Sequence, residues 1–149
     1  MVQLTRQGQL DQQLQAKAAQ IVQGVFPHDY LSEYIALLNW TRTHIRYIRD
    51  PRTIEQVKTA KATIETGNGD CDDQCVVLGT LAGHIGGQVR YVAGAFKKAA
   101  NGKPMLSHVW CEVFDPGSKA WVILDPVPGR RVGNMINRLV HTVAMPAVS

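Results

Sequence analysis

The hydrophobic pattern of this chain changes period at Gly86-Gly87, and that switch restricts its possible folds more than any other feature. Before the two glycines, apolar residues recur at helical spacing. Leu10, Leu14, Ala18, Ile21 and Val25 predict an amphipathic helix over about residues 8–24, punctuated by Gly24 and Pro27. A second helix is expected after Asp29 as N-cap, with Leu31, Tyr34, Ile35, Leu38 and Ile45 on one face and Asp50-Pro51 as its break. Thr53 followed by Gln56 fits a capping box, and Ile54, Val57, Lys61 and Ile64 allow a weaker third helix. Cys71, Cys75, Leu78, Ala82 and Ile85 step by 4, 3, 4 and 3, the face of a helix that must bury itself.

After the glycines the pattern alternates. Val89–Phe96, Leu106–Phe114 and Ala120–Leu124 read as strands. Lys97–Pro104 and Asp115–Lys119 connect them, the second through Asp-Pro-Gly. A last helix around Val132–Val143 rests on a poor pattern. Helices followed by an antiparallel meander make an α+β chain, not the βαβ alternation of a nucleotide-binding sheet. The glycines at 67, 69, 86 and 87 also lack the spacing and the lysine of a phosphate-binding loop.

Composition narrows the class further. With 149 residues, 45% of them hydrophobic, the expectation is a single domain over 1–149 with a real core, which excludes disordered and collagen-like readings. No apolar run approaches the roughly 20 residues that cross a bilayer, and the first residues are too polar for a signal peptide. A cytoplasmic location is therefore expected, with no membrane partner.

The net charge of +4 invites a nucleic-acid reading until it is placed along the chain. Acids and bases cancel over residues 29–128, whereas residues 129–149 carry Arg130, Arg131 and Arg138 and no acid. Three arginines are a small footprint, so the tail reads as a solvated basic end and a nucleic-acid partner is not expected.

The chemistry gathers at Gly69-Asp70-Cys71-Asp72-Asp73. Cys71 falls in the first turn of a helix, where free backbone N–H groups and the helix dipole favour a thiolate and lower its pKa. The same groups can bind an oxyanion formed when the sulfur attacks a carbonyl. Asp70 is a natural N-cap and Asp73 occupies the capping-box position. Asp72 and Asp73 disfavour a thiolate, so a nearby cation is needed. His108 opens the second strand and Asp125 ends the third. Antiparallel pairing brings those two ends together, giving a nucleophile, a base and an orienting carboxylate on separate elements.

A zinc site is the competing constellation, because Cys71, Cys75, His108 and Cys111 supply three thiols and an imidazole. Strand alternation counts against it: His108 falls with Trp110 and Glu112, and Cys111 with Val109 and Val113 on the apolar face. Cys75 likewise stands in line with Leu78 and Ala82, a core position. An odd number of cysteines, 3, excludes a complete disulfide framework.

Three segments together resemble the core motifs of the transglutaminase-like superfamily: Gly69-Asp70-Cys71-Asp72-Asp73, His108-Val109-Trp110-Cys111-Glu112-Val113, and Trp121-Val122-Ile123-Leu124-Asp125-Pro126. Ile45-Arg46-Tyr47-Ile48-Arg49-Asp50 is similar to an aromatic-then-Asp segment that precedes the cysteine in such proteins. The resemblance covers about residues 45–128 and is closest to small bacterial and phage-associated members that look like cysteine peptidases. It implies a papain-like α+β core, with N-terminal helices and then a catalytic helix packed on a small antiparallel sheet. It implies Cys71 as nucleophile, His108 as base and Asp125 as orienter, reacting through a thioester that water or an amine resolves. No cofactor and no metal are implied. The expected partner is a protein or peptide substrate; the phage-associated resemblance adds phage or virion proteins as further candidates and a virion-associated location as the alternative to a cytoplasmic one. A crosslinking transglutaminase and a catalytically silent module of the same fold remain the alternatives. The resemblance fixes no second oxyanion donor, for which Trp40, Tyr47 and Asn68 are the candidates.

Overall fold

A computed structural model describes residues 1–49, 56–127, 140–146 and 148. Helix α1 (Val2–Gly8) is followed by α2 (Gln12–Val22). The helix expected over about 8–24 is α2, shorter at both ends, and α1 before it was not expected. The Asp11 side chain accepts hydrogen bonds from the backbone N–H of Gln13 and Leu14, which makes it an N-cap that starts a new helix. Its acidic side chain carries that start signal. Helix α3 (Tyr30–His44) begins after Asp29 as expected, but its buried face is Tyr34, Leu37, Leu38 and Thr41. Leu31 and Ile35 are exposed, so the expected stripe was rotated by part of a turn.

Strand β1 (Arg46–Tyr47) pairs in parallel with β2 (Asn68–Gly69), Tyr47 opposite Gly69. Between them, α4 (Ala60–Thr66) starts at Thr59, whose side chain caps Ala62 N–H, later than the start read from Thr53. Thr53 and Ile54 lie outside the described residues. Gly67 closes α4 at φ 64°, a left-handed conformation that suits glycine.

Helix α5 (Cys71–His84) is the axis of the molecule: every residue from Asp73 to Ala82 is buried. The expected single apolar face was an underestimate. Helices α1 to α4 cover α5 on some sides and the sheet covers it on another, so every side is buried, with Asp73, Gln74 and Thr80 the polar exceptions among apolar and small residues. Close approach demands glycine at one point, because a Cβ on Gly79 would collide with the Tyr91 hydroxyl.

The sheet runs β5-β4-β3-β6, antiparallel throughout. Its strands β3 (Val89–Lys98), β4 (Pro104–Asp115) and β5 (Ala120–Leu124) match the three expected, slightly lengthened. The Asp115–Lys119 hairpin is built as its sequence suggests, with the Asp115 carboxylate accepting from Gly117 and Ser118 N–H. Strand β6 (His141–Ala144) was not expected. It overlaps the end of the helix read around Val132–Val143, whose other residues are outside the described ones apart from Val140. Here the free edge of β3 supplies a ladder for His141–Ala144, which outweighs a weak local pattern. Val89, Tyr91, Cys111, Val113 and Leu124 join α5 in the main core, while Val92 and Trp110 form a second cluster. Among the described residues no helix is long and apolar enough to cross a membrane.

Candidate active site

Cys71 is the first residue of α5, and a full capping box holds that end. Asp70 accepts from Asp72 and Asp73 N–H at 3.0 and 3.3 Å, and Asp73 accepts in return from Asp70 N–H at 3.4 Å. Asp73 is fully buried and does more than cap. Its carboxylate accepts from Lys58 N–H at 2.7 Å and pairs with the Lys58 ammonium at 3.1 Å. The segment before α4 is thereby tied to the cysteine-bearing turn. Gln74, also buried, donates from Nε2 to Ile45 O at 3.1 Å and fixes the segment leading into β1.

These ties shape a cleft of about 330 Å³. Tyr47, Val57, Met105 and Leu106 give it apolar walls, and Asp70, Cys71 and Asp72 lie along one side. Three consecutive residues of β4, Met105, Leu106 and Ser107, all line it, which regular alternation would forbid. Register shifts between Gly94 and Ala95, and again between Ala95 and Lys97, supply the irregularity and re-aim these side chains.

His108 follows directly. It is 3% exposed, and its Nε2–H donates to Asp125 Oδ2 at 2.8 Å. Asp125 stands one residue past β5. With Cys111 opposite Leu124, the extended register sets Asp125 across from Trp110, two residues from His108. The second carboxylate oxygen, Oδ1, accepts from Val127 N–H at 3.1 Å. With Nε2 committed to Asp125, Nδ1 is the nitrogen left to act as a base.

The Cys71 sulfur reaches the same strand, where the backbone of Val109, next to His108, hydrogen-bonds to it. His108, which holds Asp125, and the backbone that meets the Cys71 sulfur are therefore sequence neighbours on β4. The electrostatics depart from the sequence reading, which expected a lowered thiol pKa. Burial pushes the Cys71 thiol up to about 11, the Val109 hydrogen bond opposes this, and the Asp72 and Asp70 carboxylates add to the rise. The thiol points at Asp72 Oδ1, 3.7 Å away. Burial and the Asp70 charge raise Asp72 in turn. The helix dipole is outweighed by desolvation and two flanking acids.

The remaining candidates separate cleanly. Cys75 and Cys111 are fully buried in the main core, where burial raises both thiols. Among the described residues no three His, Cys, Asp or Glu side chains converge as a metal-ion set. Of the candidate oxyanion donors, Tyr47 lines the cleft. Trp40 stacks on His44 at 4.6 Å, and Asn68 Nδ2 donates to Thr66 O at 2.9 Å. Arg130, Arg131 and Arg138 lie outside the described residues. Sequence reasoning missed Arg42, whose guanidinium donates to Asp125 O at 3.1 Å from Nε and 2.6 Å from Nη2. An arginine in the last turn of a helix gave no signal of a partner 83 residues away.

Residues 15–126 match the family model of the transglutaminase-like superfamily, and the chain belongs to that superfamily. Its fold is similar to a provisionally assigned cysteine protease from Cytophaga hutchinsonii, at 18% identity and a TM-score of 0.65 over 93% of this chain and 48% of that one. It is also similar to a provisionally assigned protease from Parabacteroides distasonis, at 7% identity and a TM-score of 0.59 over 74% of this chain and 22% of that one. The chain thus spans less than half the length of each. No curated protein sequence matches it.

Proposed function

We propose that this chain is a thiol-dependent acyl-transfer enzyme, a peptidase or amidase in which Cys71 attacks, His108 moves protons and Asp125 orients His108. The observation that carries it is the buried His108–Asp125 hydrogen bond, placed one residue from the Val109 backbone that meets the Cys71 sulfur. The similarity to proteases in fold supports the same reading.

The raised thiol shapes the mechanism. At neutral pH Cys71 rests as S–H, so His108 Nδ1 takes the proton as the sulfur attacks the amide carbonyl carbon. The carbonyl electrons move to oxygen, where the Cys71 N–H at the start of α5 would meet that charge, since Asp70 already accepts from Asp72 and Asp73 N–H. On collapse the C–N bond breaks, His108 returns the proton to the leaving amine, and a thioester remains on Cys71. His108 then deprotonates a water that attacks the thioester, releasing a carboxylic acid and restoring the thiol. A peptide or protein would supply the amide, and no cofactor enters any step.

Native labelling tests this reading. Cys75 and Cys111 are fully buried, so iodoacetamide should modify Cys71 alone, and p-nitrophenyl acetate should acylate it. Cys71→Ala should abolish both; equal modification of that variant would overturn the assignment. The raised thiol favours one second reading, a catalytically silent module of the same fold, for example in a phage or prophage assembly. A folded wild type with no cysteine-dependent acylation at any pH would select it.

A further inference from the structure

We propose that Arg42 is a positioning residue of this site, acting on His108 through Asp125. The inference rests on the acyl-transfer reading for its purpose, but its geometry stands independently. Asp125 is 4% exposed and lies one residue past the β5 ladder, and its buried carbonyl accepts from the Arg42 guanidinium. Pro126 follows it and has no N–H with which to build a regular turn. A buried carbonyl left unpaired would cost free energy, and Arg42 removes that cost with two donors from one planar fork.

The consequence is a complete set of ties. Asp125 is held at its carbonyl by α3, at Oδ1 by Val127 N–H and at Oδ2 by His108. Two of these fix the main chain around the residue and leave the carboxylate one direction in which to point. The third then sets the tautomer and tilt of the imidazole, on which proton transfer at Nδ1 depends. The hydrogen bonds of Arg42 go to the Asp125 carbonyl. Its effect on chemistry passes through the Asp125 backbone.

A bland role exists for comparison. Arg42 is in the last turn of α3, where any cation is favoured by the helix dipole. Arg42→Lys separates the two roles, because it keeps the charge at the helix end and loses the fork. Arg42→Met removes both.

The test uses the full chain and two readouts. The first is the low-field proton NMR resonance of His108 Nε2–H, assigned by its loss in Asp125→Ala. The second is the burst of p-nitrophenolate when Cys71 is acylated by p-nitrophenyl acetate. With a positioning role, folded Arg42→Lys broadens or shifts the resonance. It also slows the burst about tenfold at unchanged amplitude, with KM for the ester little altered. A folded Arg42→Lys with wild-type resonance and burst rate overturns the proposal, as does a wild type lacking the resonance. If Arg42→Met fails to fold, the lysine variant still decides. If wild type shows no acylation, the acyl-transfer reading fails while the resonance still answers for Arg42.

Discussion

His108 Nε2 and Asp125 Oδ2 lie 2.8 Å apart, both side chains buried, with His108 inside β4 and Asp125 one residue past the end of β5. The pairing follows from the β4–β5 register and needs no loop rearrangement to form. It assigns the Nε2 proton, because a carboxylate can only accept. The ring therefore presents its basic Nδ1 elsewhere, and the strand carrying it also carries the Val109 backbone that meets Cys71.

Asp125 tests how much that orientation is worth. Its two carboxylate oxygens serve different donors, Val127 N–H and His108 Nε2–H. Asp125→Asn keeps one acceptor oxygen and so satisfies one donor fully while facing the other with an amide. The burst rate with p-nitrophenyl acetate should fall about 10- to 100-fold in Asp125→Asn and about 10³-fold or more in Asp125→Ala. Equal rates in both variants and wild type would show that the pair is structural alone.

Asp72 should control the acidity of Cys71. Its carboxylate accepts from the thiol, and its charge, after burial, helps push the thiol up to about 11. Alkylation of wild type by iodoacetamide should rise about tenfold per pH unit through pH 9. Asp72→Asn should displace that profile to lower pH and speed labelling near neutrality. A wild-type profile already flat below pH 7 would instead reveal a thiolate held by the imidazolium.

The α+β order, three strands of the sheet, the cap at Asp70 and the meeting of His108 with Asp125 were legible in the sequence. They rest on local signals: period, turn chemistry and a cysteine at a helix start. What escaped notice depended on distant neighbours. Leu31 and Ile35 were placed inside because periodicity gives a stripe but not which neighbours cover it. β6 needs the free edge of β3, which no local window contains. The acidity of Cys71 was read with the wrong sign because burial, the largest influence, is set by the packed molecule.

Gly69 marks where the site tolerates no added atom. A Cβ there would lie 2.5 Å from the Asp73 Cβ and 2.8 Å from its Oδ2. Asp73 cannot retreat, being fully buried and bound to Lys58 and Asp70. Gly69→Ala should therefore destabilise the fold by about 1–3 kcal/mol, read by urea denaturation. It should also disturb acylation, since the displaced carboxylate anchors the turn bearing Cys71. A neutral effect on both would mean that the turn relaxes freely.

Stability should fall on the alkaline side, and the sign follows from the thiols. Cys71, Cys75 and Cys111 are all raised above their ordinary value, burial being the first cause for each. Tyr34 is raised as well, to about 12. Unfolding returns each group to its ordinary acidity, near 8.5 for a thiol. Below that pH both states are protonated, and the neutral groups contribute their full stability. Above it the unfolded chain releases protons that the folded chain retains, so stability declines by about 1.4 kcal/mol per pH unit for each such group. For Cys71 the decline runs from about pH 8.5 until its folded value of about 11 is reached. Urea midpoints under reducing conditions should therefore drop between pH 8.5 and 10.5. Cys111→Ala, though less stable throughout from its cavity, should show a slope shallower by about one proton. An unchanged slope in that variant would mean that Cys111 ionises as readily folded as unfolded.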